Sequence, residues 1–367
     1  MMKRITYIIL LALLLPLSSC LREKQPEDIY NEQASGVVLA LNQFYYSATL
    51  SDGSTIYFSG LDEDGDLKDI AFSADSVQRS MAFGTAFFVD GQGSLLTNRH
   101  VVDPIIAKSD VKGYVKKLVK GLKAITEYAQ SAMAEEYQSL QEQINANTSV
   151  EYNEYLGYYT TESIENNDLR RRQSELSQEF DEAQEYIEQL EAIDVNEISI
   201  QTYSEIGIAY HDTYVTKPGD FKPCVVVRTS QDQDVDLALI RLKDKTTPSR
   251  AHIFSAPKDE HNIFGPSKDE REKLALNQSL VLIGYNHGVQ LAATQEGIKA
   301  QLTTGNVSQQ PDGNRVMYTI PMLQGSSGSP VVNRYGELVA VNFAGLMGTQ
   351  SFNFGIPLKR INDFLKQ

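Results

Sequence analysis

Two hydrophobic periodicities that no single element can share divide this chain. From residue 36 to 107, and again from about 201 to 367, apolar residues fall in short runs separated by Gly, Asn, Asp and Pro. VVLALNQFYYSATL and STIYFSG flank the turn Ser51-Asp52-Gly53, and later runs cover 84–89, 94–97, 224–229, 237–242, 280–283, 316–321, 330–333, 338–343 and 351–356. Many short strands with close turn signals predict a β-barrel or sandwich. Residues 108–200 obey a different rule. Val111, Val115, Leu118, Leu122 and Ile125 step by 4, 3, 4 and 3; Met133, Tyr137, Leu140 and Ile144 by 4, 3 and 4; Leu176, Phe180, Ala183, Ile187 and Leu190 by 4, 3, 4 and 3. These are heptad seams. Two arms joined across 145–165 predict an antiparallel coiled-coil hairpin inserted in a β protein, the first arm on the order of 50 Å long. At the C-terminus, LKRINDFLK follows Pro357 and puts Ile361, Phe364 and Leu365 on one face, which predicts a short helix with proline at its start.

Charge is distributed as unevenly as periodicity. The chain has 48 acidic and 33 basic residues, a net charge of -15, and segment 108–200 alone holds 19 acidic and 9 basic residues. Such a surface repels phosphate backbones, so no nucleic-acid partner is expected. The hairpin reads as a docking arm for a protein partner or a second copy of the chain. Equally, it reads as a solvated insertion whose acids confer solubility. Tyr152, Tyr155, Tyr158 and Tyr159 at its tip favour contact, because tyrosine adds area at low entropic cost. Two cysteines build no disulfide framework, and with five scattered histidines they give no metal-ligand spacing; neither a metal nor a cofactor is expected.

The N-terminus is a leader. Lys3 and Arg4 precede the apolar stretch 5–17, too short to span a membrane comfortably, and Leu17-Ser18-Ser19-Cys20 has the form of a bacterial lipobox. The expectation is a signal peptide over 1–20, acyl chains on Cys20 that anchor the mature chain to a membrane, and an exported, periplasmic or surface-facing location. Residues 21–35, polar and without periodicity, read as a tether. Cys224 is then the sole thiol of the mature chain, expected to be buried as a small apolar residue.

Three segments carry chemistry. In Gln324-Gly325-Ser326-Ser327-Gly328-Ser329-Pro330-Val331, glycines at -2 and +1 allow a tight turn that exposes the Ser327 hydroxyl and aims backbone N–H groups at one point. An acyl-transfer nucleophile with an oxyanion hole needs such a turn. A serine also needs a base, and His100 in Thr97-Asn98-Arg99-His100-Val101-Val102 ends a strand, a rigid place for one. Asp236 opens the apolar run Asp236-Leu237-Ala238-Leu239-Ile240, and an acid there is costly to bury without a partner such as an imidazole N–H. Asp232 and Asp234 lie nearby, in the polar turn SQDQD, and are second choices.

In that order, His, Asp, Ser, the segments resemble the chymotrypsin-like (trypsin-type) serine peptidases, most closely the bacterial Deg/HtrA-type branch. TNRHVV, DLALI and GSSGSPVVN carry the resemblance, supported by Leu282-Ile283-Gly284-Tyr285, Thr304-Gly305-Asn306-Val307-Ser308, Gly336–Asn342 and Phe354-Gly355-Ile356-Pro357. It covers 36–107 and about 201–367, and implies an all-β double six-stranded barrel, with His100 and Asp236 in barrel one and Ser327 in barrel two. The peptidase domain would run from 36 to 367, interrupted by the 108–200 hairpin. The resemblance further implies catalysis by His100, Asp236 and Ser327, an oxyanion hole from the backbone N–H groups of Gly325 and Ser327, and protein or peptide substrates. Pro321, Met322 and Leu323 match the specificity pocket and carry no acid, so small to medium apolar side chains are expected there. Phe343 either narrows the pocket or packs. Two departures stand out: the family often has Asn or Asp where this chain has Ser326, and Gly where it has Ser329. They leave open whether the oxyanion hole is preformed. No PDZ-like segment is read after the peptidase, a device common in that branch, and the hairpin is a candidate replacement. The runner-up expectation is a weak or inactive peptidase-fold scaffold that binds a partner through the hairpin; a third is a zymogen-like peptidase awaiting a partner there.

Overall fold

The computed structural model describes residues 22–258, 266–345 and 352–366; the expectations for the signal peptide and for Cys20 lie outside the described residues. The chain divides into two compact units, one of 1–44, 79–105 and 202–367, the other of 45–78 and 106–201.

In the first unit, β1 (Val37–Thr49), β2 (Ser80–Phe88), β3 (Ser94–Thr97), β4 (Ser199–Tyr210), β5 (Lys222–Thr229) and β6 (Ala238–Leu242) pair in the order β1-β2-β3-β6-β5-β4, and β4 pairs back onto β1. The result is a closed six-stranded barrel. A second sheet holds β7 (Ser279–Gly284), β8 (Gln301–Asn306), β9 (Val316–Tyr318), β10 (Pro330–Val332), β11 (Leu338–Gly345) and β12 (Asn353–Pro357), in the order β8-β7-β10-β11-β12-β9. Its ends meet at the bridge Val307↔Tyr318 and through bonds beside it, among them Ser308 N–H to Met317 O and Thr319 N–H to Asn306 O. One sheet thus closes by strand pairing all the way round and the other is nearly closed, which gives the expected double barrel.

Strand alternation explains why these runs read as continuously apolar. Val38, Ala40, Ala86, Phe88, Leu95 and Ile240 fill the first barrel. Their neighbours Val37, Leu39, Leu41, Phe87, Leu96 and Leu239 pack in one core with Val281, Ile283, Val341 and Ile356 of the second sheet. Leu280, Leu282, Tyr318, Val331 and Val339 fill the second barrel. A strand buried on both faces shows no polar alternation. The C-terminal helix, Leu358–Lys366, forms as expected and buries Ile361 and Phe364 in the shared core.

A segment expected to be loose is docked. The 21–35 tether is instead largely helix α1 (Pro26–Gln33), with proline in its first turn. Ile29 is wholly buried, Tyr30 Oη donates to Ala300 O (2.8 Å), and Gln33 Nε2 to Gly336 O (2.6 Å). One isoleucine in a polar string gives no periodicity, yet it anchors the helix. A helical turn, Lys268–Glu272, is capped reciprocally by Ser267 and Glu270; its Arg271 is buried against Glu337.

The second unit contains the hairpin: helix α2 (Lys108–Ala146), a ribbon of strands Thr148–Asn153 and Gly157–Glu162, and helix α3 (Asn166–Ala192). The appendage is more than 108–200. Residues 45–78 belong to it, tied by Lys117 Nζ to Asp66 (3.0 Å) and by Asp194 N–H to Ser51 Oγ (2.7 Å). Leu176, Ile187 and Leu190 line the seam as expected, but Ile125 is 68% exposed. The seam runs instead from Leu122 through Thr126 to the buried Gln130, in steps of four, because an α-helix turns every 3.6 residues and an unsupercoiled stretch drifts off the heptad.

Two histidines, His211 and His252, are largely buried in the first unit, and desolvation pushes both rings below 6.5. Asp212 opposes and Lys299 adds to the shift at His211; Glu32 opposes and Lys24 adds at His252. The unfolded chain takes up protons at these sites near pH 6.5 and the folded chain only lower, so their contribution to stability is complete above pH 6.5 and is lost as pH falls through it. The melting temperature should hold steady from about pH 8 to 7 and fall from about 6.5 to 5, with a shallower fall in a His211→Asn, His252→Gln double variant. Identical slopes for the two proteins would show that the rings do not titrate this way.

Candidate active site

Chain geometry brings His100 and Asp236 together. Strands β3 and β6 are antiparallel, with Thr97 opposite Ala238, so the residues that follow β3 meet those that precede β6. After Thr97 the chain turns through Asn98 into one helical turn, Arg99–Val102. Asn98 Nδ2 donates to Asp236 O (2.7 Å) and Arg99 to Ser230 O (3.1 Å), which clamps the turn against the strand entry. The His100 N–H then donates to Asp236 Oδ1 (3.0 Å), while ring Nδ1 lies 2.5 Å from Oδ2. Of the three candidate acids, Asp236 meets the imidazole, and Asp232 pairs with Arg360 (3.3 Å) instead. Burial raises the Asp236 carboxyl, but the hydrogen bond and charge of His100, its N–H and Arg99 together outweigh it and hold the group below 3.8. An ionised Asp236 accepts the Nδ1 proton, which leaves Nε2 as the basic nitrogen.

The nucleophile turn is held through its carbonyls. Gln324 O accepts from His287 N–H (2.6 Å) and Gly325 O from Thr85 Oγ1 (2.9 Å). Ser326 O accepts from Asn342 Nδ2 (2.9 Å), from Ser329 Oγ (2.6 Å) and from Ser329 N–H (3.1 Å), and Ser327 O accepts from Thr85 N–H (2.8 Å). In a trans peptide the N–H points opposite its C=O, and the chain has no cis bonds among the described residues. Pinning the Gln324 and Ser326 carbonyls inward therefore turns the N–H groups of Gly325 and Ser327 outward. Among the described residues neither N–H has a protein acceptor. Both glycines are needed for this path: Gly325 sits at φ +97° and Gly328 at φ +87°, and a Cβ on Gly328 would lie 2.1 Å from Thr85 O.

The two departures from the family pattern are built into this turn. Ser326 Oγ donates to Leu323 O (2.7 Å) and Ser329 Oγ to Ser326 O, so both serines tighten it. Ser327 itself is half-buried, and among the described residues its hydroxyl and His100 Nε2 have no hydrogen-bond partner. Catalytic bonds of this kind are often long until substrate arrives. The two halves of the site are nonetheless tied to one residue, since Thr97 Oγ1, three residues before His100, donates to Thr85 O (2.7 Å).

Of the expected pocket residues, Pro321 and Leu323 are exposed and Met322 is half-buried beside the second-barrel core. Phe343 packs on the shared core, and with Asp236, Asp312, Arg315 and Arg360 it also lines a cavity of about 560 Å³. Sequence reasoning missed Thr85, Asn342 and Tyr318. Tyr318 Oη donates to Asn342 Oδ1 (2.7 Å), which orients the amide so that Nδ2 faces Ser326 O. A signal was available: Thr85 in GTAFF and Asn342 in VAVNF are polar residues within apolar runs and are fully buried, so each must have a partner. Cys224 is buried as expected, and desolvation pushes its thiol up to about 12.

Residues 191–341, which include Asp236 and Ser327, match the family model of the trypsin-like peptidase domain. Among solved structures the chain is similar to the serine endoprotease from Yersinia pestis, at 11% identity and a TM-score of 0.43, over 94% of this chain and 66% of that one. A likeness of that degree bears on neither substrate nor activity. No curated protein matches the sequence. Residues 191–341 thus match a trypsin-like peptidase domain, in a chain whose two sheets form paired barrels.

Proposed function

We propose that the protein is a serine endopeptidase in which His100, Asp236 and Ser327 act as a triad. The observation that carries this reading is the outward pair of N–H groups at Gly325 and Ser327, fixed beside a serine whose turn is bound to the same strand as the His100–Asp236 pair. Ser327 Oγ attacks the substrate carbonyl while His100 Nε2 takes its proton, and the two N–H groups take up the charge on the carbonyl oxygen. The C–N bond then breaks as His100 returns the proton to the leaving amine, and water, activated by the same ring, releases the acyl group from Ser327. Asp236 holds the ring tautomer throughout. The absence of an acid at Pro321, Met322 and Leu323 supports a small or apolar residue on the acyl side of the cleaved bond. The export signal and the lipidated Cys20 belong to the same proposal and would set this chemistry on a bacterial membrane surface.

A fluorophosphonate probe should label wild-type protein at Ser327, with no label on Ser327→Ala, and a mixed peptide library should yield products only with the wild type. Asp236→Asn should retain the fold but lose about 10⁴-fold in kcat, as expected when the ring tautomer is no longer held. Absence of labelling across several probes would contradict the enzyme reading.

One observation supports a second role for the hairpin. The Tyr152 and Tyr158 rings meet on the ribbon with centroids 5.1 Å apart, tilted by 58°, and with Val150, Tyr155 and Leu156 they form an exposed apolar tip. The tip carries Glu151, Glu154 and Glu162 and no basic residue. We read it as a docking surface for a protein partner. In a Tyr152→Ser, Tyr155→Ser, Tyr158→Ser variant, peptide turnover and melting temperature should match wild type while partner capture from envelope extract drops. Unchanged capture would argue for a plain solvated insertion.

A further inference from the structure

The hydroxyl of Thr85 takes no part in acid–base chemistry, yet it reaches from the first barrel into the nucleophile turn. Thr85 is wholly buried. Its Oγ1 donates to Gly325 O and accepts from Tyr285 N–H, each at 2.9 Å. A hydroxyl has one proton, so accepting from an N–H on one side fixes that proton toward the Gly325 carbonyl on the other. Tyr285 lies just beyond β7, next to the segment whose His287 N–H holds the Gln324 carbonyl. The hydroxyl therefore joins three chain segments: β2, the residues after β7, and the oxyanion turn.

We infer that Thr85 is a positioning residue for the oxyanion hole, an inference that rests on the peptidase reading above. Its hydroxyl fixes the Gly325–Ser326 peptide plane and, through it, the neighbouring plane that presents the Gly325 N–H. Gly325 has wide backbone freedom, since it lacks a Cβ and sits at φ +97°. With its carbonyl released, the Gln324–Gly325 plane is held by the His287 N–H bond to Gln324 O without support from its neighbour, and a rotation that breaks that bond brings the Gln324 carbonyl to the side where the N–H now points. An acceptor would then face the developing oxyanion. Ser327, His100 and Asp236 would be untouched, so substrate would still bind and only the transition state would lose stabilisation.

The test compares Thr85→Val, which keeps the shape and removes the hydroxyl, with Thr85→Ser, which keeps the hydroxyl and removes a methyl. Each is measured for kcat and KM on a peptide amide, and for affinity to a peptide boronic acid, which mimics the tetrahedral oxyanion. Thr85→Val should lose about 10- to 100-fold in kcat, short of the full loss of one oxyanion donor, with KM within about twofold and boronate affinity reduced in step with kcat. Thr85→Ser should recover to near wild type. If Thr85→Val does not fold, Thr85→Cys, whose thiol is a weak donor, should give a smaller loss confined to kcat and boronate affinity. A folded Thr85→Val with wild-type kcat and boronate affinity would overturn the inference even if it melted lower, because the hydroxyl would then serve only packing. So would a Thr85→Ser variant as impaired as Thr85→Val. Failure of the underlying reading looks different: wild-type protein itself would neither turn over peptide nor take a fluorophosphonate label.

Discussion

Thr85 uses every polar atom it has to join parts of the chain far apart in sequence. Its N–H and hydroxyl hold two carbonyls of the nucleophile turn, and its own carbonyl accepts the hydroxyl of Thr97 at the root of the His100 turn. All of this lies in a core from which water is excluded, where an unmade bond costs about 1–3 kcal/mol. The arrangement is therefore close to all-or-none. A shift that spoiled the turn would strand several buried groups at once, and the rigid barrels on either side leave little room to absorb it. The oxyanion turn is ordered by the fold itself, through Thr85, Asn342, Ser329 and His287. On these contacts Ser326 and Ser329 both tighten the turn, which supports the proposed preformed oxyanion hole.

The hairpin follows a different economy. Its seam combines Leu176, Ile187 and Leu190 with two buried glutamines. Gln130 Nε2 donates to Phe180 O and to Gln184, and Gln173 Nε2 to Tyr137 O and to Gln141, so each helix places one amide on the backbone of the other. A slip of one turn would leave both amides without partners, and this fixes register in a way that apolar contacts alone do not. Exposed ion pairs such as Arg172–Glu136 (2.9 Å) add little by comparison, because water and salt screen them. The ribbon at the end of the arms is where apolar side chains remain open to solvent.

The sequence pointed to the proposed catalytic residues more plainly than to the scaffolding around them. His100, Asp236 and Ser327 were legible because each couples an unusual residue to an apolar run or a glycine pair, and the structure brings the first two into contact. The carbonyl anchors were not, since Thr85, Asn342 and Tyr318 find their partners across dozens to hundreds of residues and no local pattern names those partners. Helix α1 was missed for a related reason: its stability comes from Ile29, Tyr30 and Gln33 docking on the body, not from its own periodicity. Ile125 was assigned to the seam by a heptad count that the real helical pitch does not keep. Residues 45–78 were assigned to the barrels because their strand-like runs carry no mark of which unit they join.

The central claim is that the N–H groups of Gly325 and Ser327 stand ready, held by carbonyls turned inward, before any substrate binds. A crystal structure of the protein with a peptide boronic acid tests it most directly. The account predicts a bond from boron to Ser327 Oγ, a boronate oxygen about 2.7–3.1 Å from both N–H groups, and a Gln324–Ser327 backbone that superposes on the unliganded turn. A boronate bound elsewhere, or a Gln324–Gly325 plane that must flip to receive it, would contradict the claim.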